Sequence, residues 1–180
     1  MADPATTPEA IELVRAFLNT IDYDDGTDQL DSAGALAAWL RARGRLGSKE
    51  RASDDDLALA LELRAGLREE VEAHHQGAAP GASVSRRLDA VYEQLPLRLC
   101  CGAEPLAPCG DGVPGALAEI AAAVATARIE GTWDRLKICP AADCAWAFYD
   151  ASRNRSRRWC SMEVCGNRSK VRAFRSRVDG

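Results

Sequence analysis

The feature that most restricts this chain is a pair of equally spaced cysteine pairs, Cys139-x4-Cys144 and Cys160-x4-Cys165. Two short cysteine loops at this separation let a single chain close a tetrahedral tetrathiolate site. Zn²⁺ suits four thiolates because it is borderline-soft and brings no geometric preference of its own. With thiolate in every position no place remains for a water, so one such zinc is structural rather than catalytic. The surrounding segment is dense in Arg and aromatic residues, from Trp146, Phe148 and Tyr149 to Trp159. Local pattern predicts a knuckle over Cys139–Cys144, a short strand over Ala145–Asp150 and a basic turn over Ser152–Arg158. The terminal helix is predicted from Gly166, with Cys165 near its start. Knuckle, hairpin and helix in this order make a treble-clef-like finger.

The segment Arg157 to Arg168 reads RRWCSMEVCGNR, followed by Lys170 and Arg172. It resembles the CGNR-type zinc finger, whose tetrapeptide stands here as Cys165-Gly166-Asn167-Arg168. Proteins of that type carry an upstream helical domain called ABATE and are regarded as stress-related transcription regulators. The upstream resemblance rests on Phe-Leu-Asn-Thr (Phe17 to Thr20) and on Asp31 with Trp39-Leu40. It implies Cys139, Cys144, Cys160 and Cys165 as zinc ligands and double-stranded DNA as the finger's partner.

Charge agrees with that division. Residues 131–180 hold 11 Lys/Arg against 5 Asp/Glu (+6), whereas residues 1–130 hold 12 against 22 (−10). A tetrathiolate zinc adds a net charge of about −2 to the tail and leaves it basic. A basic module on an acidic body is the footprint of a polyanion binder with a separate regulatory part. Arg168, Arg172 and Arg175 recur at helical spacing along one face, and Lys170 and Arg177 extend the basic surface. Arg153, Arg155, Arg157 and Arg158 in the turn are candidates to clamp the nucleic-acid backbone. Asn167 at the helix start suits either a cap or an adenine contact.

The first 130 residues read as helices separated by turns. Thr7-Pro8-Glu9 is a helix start, with Ile11, Val14, Phe17, Leu18 and Ile21 at helical spacing. Asn19 and Thr20 are read as closing this helix rather than lining a pocket. Tyr23–Asp31 is read as a solvated acidic loop without the ligand spacing of an EF-hand. Asp31 or Ser32 caps a second helix through Leu36, Trp39 and Leu40. Ser53 with Asp54–Asp56 caps a third helix running to about His75. His74 and His75 are expected to be solvated at its end. A fourth helix carries Leu88, Val91, Tyr92 and Leu95. Leu97–Cys100 and Leu106–Cys109 form a hairpin about a turn at Gly102–Pro105. Cys100, Cys101 and Cys109 are expected there as buried small residues rather than as a redox switch or second metal site. An Ala-rich helix from Pro114 to Ile129 ends at Gly131.

The fold expected is therefore mainly α with a small β-hairpin: a helical domain over 1–130, and a treble-clef-like zinc finger over 131–180. No stretch approaches the roughly 18 uninterrupted apolar residues of a membrane span, and no signal peptide is evident. Seven cysteines in a cytoplasmic protein read as ligands and thiols rather than disulfides. HExxH, P-loop and GxSxG motifs are missing, so the chain is not expected to be an enzyme. The reading is a DNA-binding transcription regulator, its helical domain sensing a small-molecule effector or forming a homodimer. The alternatives are an adaptor whose basic helix docks an acidic protein, and an RNA-binding protein.

Overall fold

The computed structural model describes residues 7–101, 106–141 and 143–178; in the last helix it describes the side chains of residues 167–172 and 175. Six α-helices dominate: α1 (Glu9–Leu18), α2 (Ala33–Ala42), α3 (Asp54–Ala73), α4 (Ala82–Tyr92), α5 (Gly112–Ile129) and α6 (Asn167–Val178). Three two-stranded antiparallel hairpins accompany them: β1–β2 (Ile21–Asp22 with Thr27–Asp28), β3–β4 (Leu97–Leu99 with Leu106–Pro108) and β5–β6 (Leu136–Ile138 with Ala147–Tyr149). The expected turn at Gly102–Pro105 lies outside the described residues.

Local chemistry sets most helix starts. Ser53 accepts from the Asp56 N–H while Asp56 reaches back to the Ser53 N–H, a reciprocal capping box that fixes the start of α3. Ser32 caps α2 in the same way, one-sidedly. α1 departs from expectation by one residue: Pro8 holds the cap position and no side chain caps the helix.

α5 is a central helix of the body, packed against α1, α2 and α3. It is long and apolar enough by composition to cross a membrane, yet most of its residues are buried inside the body. Its small side chains allow close approach by α1 along Ile11, Val14 and Leu18. α4 lies equally close on α3. A Cβ at Gly66 would sit 2.6 Å from Leu88 Cδ2, so any larger residue would force Leu88 to shift.

The hairpin β5–β6 is built into the same apolar core, since Trp133, Leu136, Ile138 and Ala147 are buried among the helices. Polar ties fasten it. Asn19 donates to the Ala147 carbonyl at 2.9 Å and accepts from the Ala147 N–H at 2.7 Å, acting as one rung of a missing third strand. Arg68 donates to the Leu18 carbonyl at 2.7 Å and the Ala145 carbonyl at 2.6 Å. Asn19 therefore has a role beyond closing α1.

Three further expectations change. Tyr23–Asp31 holds the turn, at Gly26 (φ 74°), and the second strand of the hairpin β1–β2, whose first strand is Ile21–Asp22. Asp28 is held there by both Nη atoms of buried Arg64, at 2.7 and 2.6 Å. That pairing holds the Asp28 carboxyl below the usual range, against the opposing effect of burial. His74 and His75 are half-buried, not solvated: His74 Nδ1 lies 2.8 Å from the Leu136 carbonyl, and His75 packs against Phe148. Burial, with help from Lys137, lowers the His75 pKa. Finally, Cys101 and Cys109 are exposed and Cys100 half-buried. The register Leu97↔Pro108 places Cys109 beyond the start of β3, opposite Pro96. Cys100 then lies about 13 Å along the hairpin, far beyond the roughly 7 Å reach of a disulfide.

Candidate metal centre

The knuckle begins where β5 ends. Cys139 donates its N–H to the Trp146 carbonyl at 2.9 Å, which fixes the base of the loop, and Cys144 donates to the Ala141 carbonyl at 2.9 Å. Ala145 takes a positive φ of 47° to turn the chain into β6. The second pair comes back through a loop anchored by Asp150. This fully buried carboxylate accepts from Lys137 Nζ at 2.7 Å, from the Ser152 hydroxyl at 2.5 Å and from the Arg157 N–H at 2.9 Å. Burial alone would raise the Asp150 pKa; Lys137 and Ser152 lower it overall. Cys165 sits in a π-helical turn, Met162–Gly166, just before α6 rather than within it. Gly166 is buried there, and a Cβ on it would press within 3.2 Å of Met162 and 3.4 Å of Trp159.

These turns bring the four sulfurs of Cys139, Cys144, Cys160 and Cys165 within 4.8 Å of one another. Cys144 and Cys160 are 3.5 Å apart, and Cys160 and Cys165 3.6 Å. A zinc–sulfur bond of about 2.3 Å gives a tetrahedron with edges of about 3.8 Å, so the cluster is already near the coordinated size. The thiols are uneven. Burial raises Cys139, but backbone N–H groups of Cys160 and Ala141 and contacts from Cys160 and Cys165 lower it overall. Burial and neighbouring thiols push Cys160 far up and Cys165 up to about 11. Zinc binds thiolate rather than thiol, so its binding releases protons from the cluster. Among the described residues the apolar support is small: Cys139, Ala141, Phe148 and Cys165, with Trp159 and two half-buried cysteines at the edge.

The basic residues divide once the contacts are known. Arg157 donates to the Trp159 carbonyl at 3.0 Å and to the Cys160 carbonyl, and lies over the Phe148 ring. It braces the loop that carries Cys160. Arg158 stacks on Trp159, 5.1 Å from the ring centroid, and Arg155 pairs with Asp134. Asn167 donates to the Glu163 carbonyl at 2.9 Å, tying α6 to the π turn. Arg168 and Arg172 both meet Asp143, at 3.0 and 3.1 Å, and Arg168 also approaches Asp24 of the β1–β2 turn at 3.6 Å. Arg153, Lys170 and Arg175 are exposed, with no ion pair among the described residues. At about 100° per residue, Arg168, Arg172 and Arg175 share one side of α6, while Lys170 and Arg177 fall on the opposite side. The Arg177 side chain lies outside the described residues.

Sequence pattern had not singled out Asp143, Asp150, Lys137 or Glu70. Glu70 is buried on α3 and receives Arg128 and the Trp133 indole N–H. The one visible signal was that Asp143 and Asp150 are acids inside a basic segment.

A closed four-thiolate zinc site on a hairpin and helix, fused to a bundle, defines a zinc-finger protein with a helical partner domain. Comparison with family models makes this specific. Residues 135–178 match the CGNR zinc finger, and residues 12–136 match ABATE, described as "Putative stress-induced transcription regulator". The chain belongs to the ABATE family and carries a CGNR zinc finger after that domain; the two matched spans meet at β5. Neither model describes an enzyme. No curated protein matches the chain.

Proposed function

We propose that the protein is a transcription regulator that binds double-stranded DNA through the Arg168–Arg172–Arg175 side of α6, with Arg153 of the neighbouring loop on the phosphate backbone. The observation that carries this reading is the placement of α6. It projects from the metal centre, packs chiefly on the π turn, and presents arginines on a chain whose other residues are net acidic. A rigid cationic helix of this kind enters a major groove, where Arg serves both phosphates and guanine edges. Arg155, Arg157 and Arg158 are occupied by Asp134, Trp159 and backbone carbonyls, and their contribution is to shape the loop. A groove of about 460 Å³ between α1, α5 and β4, floored by Ala10, Leu13 and Ala123, is where an effector would act on the helical domain.

The test is a salt series with duplex DNA, wild type beside Arg175→Ala. Phosphate contacts by Arg153 and Arg175 alone predict a loss of about 10-fold between 50 and 200 mM salt, and contacts by all four arginines a loss of about 100-fold; in either case the substitution should reduce the logarithmic slope by about 0.9. Binding no stronger than that of an unstructured basic peptide would remove the DNA reading.

One observation favours a protein partner instead. Met162, Val164 and Val171 are about half exposed around the root of α6, an apolar patch that duplex DNA has no use for. An adaptor would bind DNA weakly and without sequence preference, and would lose its protein partner on Val171→Asp.

A further inference from the structure

We infer that Asp143 is a positioning residue that converts Arg168 and Arg172 from general phosphate contacts into base-reading side chains. The inference rests on the proposed DNA binding and concerns how the same helix selects sequence.

A single oxygen, Asp143 Oδ2, accepts from Arg168 Nη1 at 3.0 Å and from Arg172 Nη2 at 3.1 Å. The two arginines stand one helical turn apart on α6, so one carboxylate between them sets the direction of both guanidiniums. Asp143 is in turn fixed by the metal knuckle. It precedes the ligand Cys144, in the turn closed by the bond from the Cys144 N–H to the Ala141 carbonyl. Zinc, knuckle, carboxylate and arginine pair therefore form one chain of constraint.

Two physical consequences follow. An arginine already neutralised by a nearby carboxylate displaces few counterions when it meets a phosphate, so it contributes little to salt-dependent affinity. An arginine held at one nitrogen keeps its remaining N–H groups in a fixed plane, and a fixed pair of donors is what a guanine O6/N7 edge requires. Both side chains remain open enough to reach a ligand, at 42% and 61% exposure. Asp24 adds a longer contact to Arg168 at 3.6 Å, which brings the helical domain's first hairpin to the edge of the reading surface. Arg175 is on the same side of α6, beyond the reach of this arrangement, and is left to the phosphates.

The experiment separates the two roles by measuring, for each variant, the ratio of specific to nonspecific duplex affinity and the salt slope. The specific site is first selected from random duplexes with the wild-type protein. Arg168→Ala and Arg172→Ala should each lower the specificity ratio by about 5- to 150-fold while changing the slope by less than half a unit. Asp143→Asn should lower the ratio by about 2- to 10-fold with zinc content unchanged. Arg175→Ala should do the reverse, flattening the slope and sparing the ratio. Should Asp143→Asn lose zinc, Arg172→Ala still decides, because it lies seven residues beyond the last ligand. A full-unit fall in slope with an intact ratio for Arg172→Ala overturns the inference. So does a wild-type protein that selects no sequence, although the DNA-binding reading survives that result. A wild-type protein that does not bind duplex at all overturns the DNA-binding reading itself.

Discussion

The helical body and the finger are stabilised by opposite means. The body buries some thirty apolar side chains around α5, among them Phe17, Leu36, Leu63, Leu117 and Ile120, all nearly inaccessible. Around its metal centre the finger has, among the described residues, an apolar cluster of four buried residues, Cys139, Ala141, Phe148 and Cys165, of which two are metal ligands. A core of that size cannot offset the entropy of ordering a loop, a π turn and a helix, so the metal must supply the difference. The hairpin β5–β6 belongs to both regions: its residues feed the body's core, while its two ends carry Cys139 and lead on to Asp150. The contrast shows how one chain can carry a body that folds by burial and a finger that folds by coordination.

Breaking the metal centre should have the largest effect and should respect this boundary. Chelation of zinc removes a term of about 10–16 kcal/mol in apparent binding free energy, and Cys139→Ser removes part of it by deleting one of the four ligands. Trypsin should then cut rapidly at Arg168, Lys170 and Arg172, while a fragment running through β6 persists with its helical circular dichroism intact. Loss of the body's helices at the same zinc concentration would show that the two regions are one folding unit.

The seam itself is the next target. Asn19→Ala leaves the N–H and carbonyl of buried Ala147 without partners, which should cost about 2–4 kcal/mol. A urea midpoint measured with zinc in excess reports it. A change within 0.5 kcal/mol would mean that apolar packing alone docks the hairpin.

The smallest effect sharpens the comparison through pH. The folded-state pKa of Asp28 is depressed, chiefly by its hydrogen bonds to Arg64. Its contribution is therefore fully present above the unfolded value of about 3.9 and is lost as pH falls through the folded value. Stability of the wild type relative to Asp28→Asn should be constant near neutrality and shrink below about pH 4. Because both proteins lose zinc in acid, the difference between them isolates the body. A difference that grows on acidification would reverse the assigned sign.

Much of this protein is decided by neighbours in sequence. Two CxxxxC pairs bring four sulfurs together because each pair needs only a tight turn. Ser53 and Asp56 start α3 because a capping box spans three residues. The periodic Leu, Ile and Val positions went to the core because a helix repeats every 3.6 residues whatever surrounds it. What tertiary structure alone decided are contacts between residues far apart in the chain. Asn19 meets Ala147 across 128 positions, Arg64 meets Asp28 across 36, and Asp143 meets Arg172 across 29. A polar side chain in a periodic pattern says only that it is polar. Whether it faces water, caps its own helix, docks another hairpin or aims an arginine depends on which distant carbonyl or carboxylate the fold brings within 3 Å. The hydrogen bond's short range leaves no trace of that choice along the sequence.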